Sequence, residues 1–227
     1  ELIDAWGIPH AKNTKYEADD LLCAYAKAAV ENGDRVTIVT GDRDAFQLAS
    51  DKVRISIPHS GYSQPEYMGP DEIYAKYGIR PDQVPAYKGL TGDSSDNLPG
   101  VKGIGPKTAA DLLQQFDTLE GVYEHLADIR PSVRAKLEAD KESAFFCQRM
   151  ARLVCDFELV PPYADVRLSS IDAARIMEFF DAMEFTMLKR RFTEFAKTPY
   201  GAALAGDAVL AMVSQVFGDD VTQQALF

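Results

Sequence analysis

Apolar positions recur at three- and four-residue spacing between residues 17 and 32, where Ala18, Leu21, Leu22, Tyr25 and Ala29 line one side and Gly33 follows as a stop. This pattern predicts an amphipathic helix. Val36 to Thr40 is a short β-branched run, the mark of a buried strand, and Gly41 breaks it. A helix is expected to open at Asp44–Leu48, and Val53–Ile57 reads as a second strand ended by Pro58. Helix, strand, helix and strand in this order imply an α/β fold with a parallel sheet and crossover connections. Residues 61–70 are rich in turn formers and read as a surface loop. Beyond Pro70 the strand signal fades, and helices are expected over 71–76, 81–90, 107–116, 118–126, 142–154 and 171–195. The chain therefore divides into an α/β part (1–70), a helical part (71–197) and a tail (198–227) without Lys or Arg that reads as a linker or small helix.

Composition changes this picture in two places. Cys23, Cys147 and Cys155 make an odd set without a CxxC pair, which argues against a disulfide framework or zinc site and for a reducing, cytoplasmic setting. No apolar run is long enough to cross a membrane, and no leader peptide is visible after Glu1, so the sequence is expected to begin inside a longer protein. The 24 Lys and Arg against 35 Asp and Glu give a net charge of −11, which taken alone argues against a nucleic-acid partner. Acid gathered at one metal site would remove that objection.

Three acidic clusters meet this condition. Glu17, Asp19 and Asp20 open the first helix, where carboxylates also serve as ordinary caps. Asp42 and Asp44 lie just past the carboxyl end of the first strand, where ligands sit in open α/β sheets, although a turn and a helix cap explain them equally. Asp93 and Asp96 are three apart and would share a face of a helical turn, with Ser and Asn neighbours that also suit a capped loop. All three clusters stand at element ends, from which side chains can converge. Converging like charges need a counter-ion, and hard divalent cations with oxygen ligands serve best.

The stretch from Leu98 to Ala109 holds Gly100, Gly103 and Gly105 ahead of Pro106, Lys107 and Thr108. It is not a P-loop, because Pro106 separates Gly105 from Lys107, and it lacks the strand and third glycine of a dinucleotide fingerprint. A tight Gly-Ile-Gly turn between helices is left, with Pro106 suited to a first helical turn and Ile104 anchoring the turn in the core. Backbone N–H groups at the start of the next helix, with Lys107 and Thr108, would take a phosphate without reading sequence.

YEADD, TGDRD and TGDSSDNLPGVKGIGPKTA, in this order and spacing, resemble the 5′-nuclease domain of the bacterial DNA polymerase I family and its flap endonuclease relatives, over about Glu1 to Phe195. The resemblance implies a PIN-like α/β core followed by a helical helix–hairpin–helix subdomain, the motif itself spanning 98–116. It implies a structure-selective 5′-3′ exonuclease and flap endonuclease of replication and repair, acting on DNA flaps, nicks or ends through two Mg2+ or Mn2+ ions. Glu17 and Asp19 then match ligands of the first ion, Asp42, Asp44 and Asp96 match those of the second, and Asp20 and Asp93 match further site acids. Lys102, Gly103, Gly105, Lys107 and Thr108 match the DNA grip, and the carbonyls of Val101 and Ile104 match a potassium site. The family's long stretch ahead of YEADD, with further aspartates and a basic arch, has no counterpart in this sequence. The 227-residue chain alone is therefore expected to cleave weakly or not at all while keeping duplex binding. Gln223, Leu226 and Phe227 resemble the short peptide by which bacterial replication proteins dock on the sliding clamp, and a monomer is expected. A non-catalytic DNA-binding or tethering module is the alternative reading; the hairpin argues against a third, a phosphohydrolase of small molecules.

Overall fold

A computed structural model describes residues 1–58, 65–168 and 170–205. A single helical turn (α1, Leu2–Ala5) is followed by α2 (Ala18–Glu31), strand β1 (Val36–Val39), a 3-10 segment (Arg43–Leu48), β2 (Val53–Ile57) and β3 (Glu66–Met68). The rest is helical: α3 (Pro70–Tyr77), α4 (Val84–Thr91), α5 (Pro106–Phe116), α6 (Leu119–Glu124), α7 (Pro131–Ala139), α8 (Lys141–Met150), α9 (Ala173–Ala182), α10 (Thr186–Ala196) and α11 (Pro199–Ala205).

Strands β1 and β2 pair in parallel, Ile38 against Ile55, as the helix–strand alternation implies. The sheet is nevertheless mixed. Strand β3 runs antiparallel to β2 and pairs Met68 with Ile55, both fully buried. This corrects the reading of 61–70 as loop throughout: three residues are too few for an alternating pattern to stand out. The 3-10 segment replaces the α-helix expected at Asp44–Leu48.

The chain folds as two compact units, Lys12–Leu159 and Glu1–Ala11 with Val160–Phe227. In the larger unit, Ile38, Phe46, Ile55, Leu90, Leu113 and Leu137 share one core, so the sheet and helices α3 to α8 bury a common apolar face. Helix α4 lies deep within it, with Val84, Pro85, Ala86, Lys88, Gly89 and Leu90 all buried. A Cβ on Gly89 would stand 2.8 Å from the Ala144 carbonyl of α8, so the bare backbone lets the two helices close up. The smaller unit packs Ile176, Phe180 and Phe192, with the Trp6 and Phe192 rings 5.2 Å apart.

Three helical expectations are revised. The run 171–195 is two helices, split where Glu184 takes a left-handed φ of 55°. The helix expected over 142–154 stops at Met150, and α7 lies where no helix was foreseen.

The cysteine reading is also corrected. Cys23 on α2 and Cys155, beyond α8, form a disulfide with Cα atoms 5.2 Å apart, and Cys147 is free and buried. Local spacing could not reveal a pair 132 residues apart in sequence. The bond pins the segment after α8 to the helix that opens with the first acidic cluster. Lys27 pairs there with Asp156, and the Tyr16 and Phe157 rings stack at 3.9 Å.

Candidate functional site

Each acidic cluster is set by local backbone chemistry. Glu17 is the N-cap of α2, and its N–H donates to Asp20 Oδ2 at 3.2 Å. The other Asp20 oxygen accepts from Val154 N at 2.8 Å, so Asp20 holds both the helix start and the disulfide-bound segment. Asp19, the next residue round the helix, is left free of such duties. Burial is the main cause that pushes its carboxyl above the ordinary range, and repulsion from Asp42, Glu17, Asp20 and Asp96 adds to it. Acids from all three stretches therefore act on one side chain.

At the end of β1, Asp42 N donates to Thr40 Oγ1 at 3.0 Å, and Asp42 Oδ1 accepts from Asp44 N at 2.8 Å. This Asx turn opens the 3-10 segment and turns Asp44 inward. The third cluster is a closed loop instead of the helical turn expected. Asp93 and Leu98 exchange both backbone hydrogen bonds at 2.8 Å, and Asn97 takes the left-handed region. Gly92 and Gly100 cross beneath the loop, and a Cβ on Gly100 would stand 2.2 Å from Gly92 N, so only glycine allows the crossing.

The centre of the site is a cation that sequence reasoning missed. Lys88 of α4 is only 8% exposed. Its Nζ pairs with Asp44 Oδ1, with Asp93 Oδ2 at 2.6 Å and with Asp96 Oδ2 at 3.8 Å. Burial works against the ammonium, but Asp44 and Asp93 raise its pKa above the ordinary lysine range. Burial would likewise raise Asp93, yet Lys88 and Ser95 hold it at about 2. Asp44 moves upward through burial, reinforced by Asp42 and Asp96 and only partly offset by Lys88. The available signal was a lone lysine within an otherwise apolar helix, five residues ahead of Asp93.

For a divalent ion, the donor set is chemically right: carboxylate oxygens only, including a buried Asp44 Oδ1 whose partner is the Lys88 ammonium. The placement is not a finished coordination sphere. Among the described residues, no three His, Cys, Asp or Glu side chains group closely enough to hold one ion. The Lys88 ammonium fills the space between Asp44 and Asp93.

The hairpin follows immediately. Ile104 is buried, as expected for the residue that anchors the turn, and so is Val101, whereas Lys102, Gly103, Gly105 and Lys107 are exposed. Gly103 has φ +80°, and its carbonyl accepts from Lys136 Nζ at 2.9 Å. The Val101 carbonyl accepts from Ile104 N, and Lys102 N donates to Asp140. Gly105 caps α5, and Pro106 starts it, which leaves the N–H groups of Lys107 and Thr108 ahead of the first helical bond, Ala109 N to the Gly105 carbonyl. A cavity of about 1040 Å³ runs from Lys88 and Asp93 to Lys107, with Arg43, Lys76 and Tyr87 along it. Lys88 and Asp93 of the acidic site and Lys107 of the hairpin thus line one cleft whose walls also carry Arg43 and Lys76. Gln223, Leu226 and Phe227 lie outside the described residues.

Known families cover most of the chain. Residues 1–78 match the 5′-3′ exonuclease N-terminal resolvase-like domain, and residues 79–174 match the 5′-3′ exonuclease C-terminal SAM fold. DNA polymerase I of Caldicellulosiruptor bescii is 37% identical over 193 residues, 84% of this chain and 23% of the relative. The chain thus spans less than a quarter of that relative's length. Among solved structures, T5 5′-exonuclease with bound divalent zinc aligns with a TM-score of 0.58 at 20% identity, over 78% of this chain and 62% of that one. A bacteriophage T5 flap endonuclease complex with DNA and metal ions aligns with a TM-score of 0.53 at 20% identity, over 75% and 59%.

Proposed function

Because the chain belongs to the 5′-3′ exonuclease family, we propose that it is the metal-dependent 5′-nuclease part of a DNA-processing protein, hydrolysing phosphodiesters at 5′ flaps, nicks or ends during replication and repair. The observation that carries this reading is electrostatic: acids from three distant stretches press on Asp19, and acids from two surround Lys88, which lines one cleft with Lys107 of the hairpin. The bound metals and DNA of the T5 enzymes support the same assignment.

Glu17 and Asp19 would hold one divalent ion and Asp42, Asp44 and Asp96 a second, Mg2+ or Mn2+, with Asp20 and Asp93 as further site acids. Such ions, when bound, lower the pKa of a coordinated water and offset charge on the leaving oxygen. The chain's own groups do the rest. Lys107 and Thr108 N–H groups at the start of α5 grip a backbone phosphate, and Lys102, Gly103 and Gly105 form the exposed turn beside them. Phosphate contacts fix position rather than sequence, which suits selection by DNA structure. Asp20 keeps α2 in register through its two backbone partners. Potassium at the Val101 and Ile104 carbonyls belongs to the proposal, although Lys136 already brings one positive charge to the turn.

The functional division is a nuclease core over 1–70, the DNA-gripping helical part over 71–197, and a tail whose Gln223, Leu226 and Phe227 dock on a sliding clamp. Pull-down with and without those last residues tests the docking. Among the described residues no helix is long and apolar enough to cross a membrane. A cytoplasmic monomer is proposed, with the Cys23–Cys155 bond counting against the reducing setting on which that location was argued.

The test uses a labelled 5′-flap duplex and the natural protein. Cleavage that needs a divalent ion, with Lys107→Ala weakening binding alike on unrelated sequences, is the expected result. Tight binding without cleavage at any divalent ion supports the tethering module instead. Absence of both overturns the assignment.

A further inference from the structure

Two of the acids that would hold the second ion, Asp44 and Asp96, already share a cation with Asp93. Asp44, Asp93 and Asp96 bring three negative charges to one place, and Lys88 is the basic group among them. The cost of burying an ammonium is high unless it is paired, and here it is paired to residues from two separate stretches. The Asp44 oxygen against it is buried, and the Lys88 ammonium is the partner that offsets its burial. The lysine stem is flexible and borders the cleft of about 1040 Å³, which gives the ammonium somewhere to go.

We propose that Lys88 is a resident stand-in for the second divalent ion: it holds Asp44, Asp93 and Asp96 together in the metal-free protein and must swing out of the pocket when the ion binds. This rests on the metal-site reading above and deepens it. Lys88 is thereby a positioning residue that sets the affinity of one ion site by competition. Metal-free stability and second-ion affinity are then linked. The group that holds these carboxylates together without metal is the one that weakens the ion.

The experiment is calorimetric titration of the natural protein and of K88M with Mn2+ alone, together with thermal unfolding of both without metal. Methionine keeps most of the stem and removes the charge. The expected result is a second-ion Kd at least about tenfold tighter in K88M, the first-ion Kd unchanged, and a lower metal-free melting temperature that Mn2+ restores. If K88M does not fold, K88R and the natural protein carry the test. Arginine keeps the charge and grips carboxylates with a planar fork, so the second ion should bind more weakly. In the natural protein the Lys88 15Nζ resonance should shift in step with the second equivalent of Mg2+. Two ions bound by the natural protein with the second unaffected or weakened in K88M, or an unmoved Lys88 resonance, overturns the stand-in role alone. No Mn2+ bound by either protein overturns the metal-site reading and the stand-in role together.

Discussion

Replacing Asp96 by asparagine is expected to slow cleavage of a 5′-flap duplex by about a thousandfold while the fold survives. Asp96 has a half-exposed side chain, and its nearest ionic contact is Lys88 at 3.8 Å, so little packing depends on its charge. What it loses is one of the oxygens proposed to hold a divalent ion. Such an ion supplies several kcal/mol of charge stabilisation in the transition state, and about 4 kcal/mol corresponds to about a thousandfold in rate. Single-turnover cleavage with Mg2+ reads the rate, and a melting curve reads the fold. Retention of the rate within about threefold would take Asp96 out of the site.

The second large effect concerns the disulfide. Closing a loop with a sequence separation of 132 residues restricts the unfolded chain by about 5 kcal/mol in the loop-entropy account. For a chain of this size that lowers the melting temperature by roughly 10–20 °C on reduction. Cys23→Ser and Cys155→Ser should each reproduce the loss and become insensitive to reductant, whereas replacing free Cys147 should leave the reductant response intact. The segment released carries Val154, whose N–H holds Asp20, so the start of α2 should also lose hydrogen-exchange protection. A melting temperature indifferent to reductant in the natural protein would show that the bond contributes nothing.

These two cases mark where the chain is legible and where it is not. Helix α2 follows from local periodicity and strands β1 and β2 from short β-branched runs, although Val39 of β1 is exposed rather than buried. The acidic clusters are equally visible, since Asx turns, caps and loop closures are written in neighbouring residues such as Thr40-Gly41-Asp42 and Gly92-Asp93. Tertiary pairings leave no such trace. Met68 earns its place on β3 only from Ile55 across the sheet. Cys155 finds Cys23 only through the path the chain takes after α8. Lys88 looks like a misplaced surface residue until Asp44, Asp93 and Asp96 surround it. The break at Glu184 hides for a related reason, as residues on both sides of it keep helical apolar spacing.

The clusters also bear on how a net charge of −11 fits the proposed DNA substrate. Bulk charge averages over a surface on which Arg43, Lys76 and Lys107 border one cleft, while the acids beside them are spent on Lys88.

The most direct test of the whole account is an anomalous-scattering map from crystals of the natural protein soaked in Mn2+. Peaks within coordination distance of Asp42, Asp44 and Asp96, and of Glu17 and Asp19, are the predicted result. A map in which manganese is absent from these five carboxylates, or lies only on scattered surface acids, would contradict it.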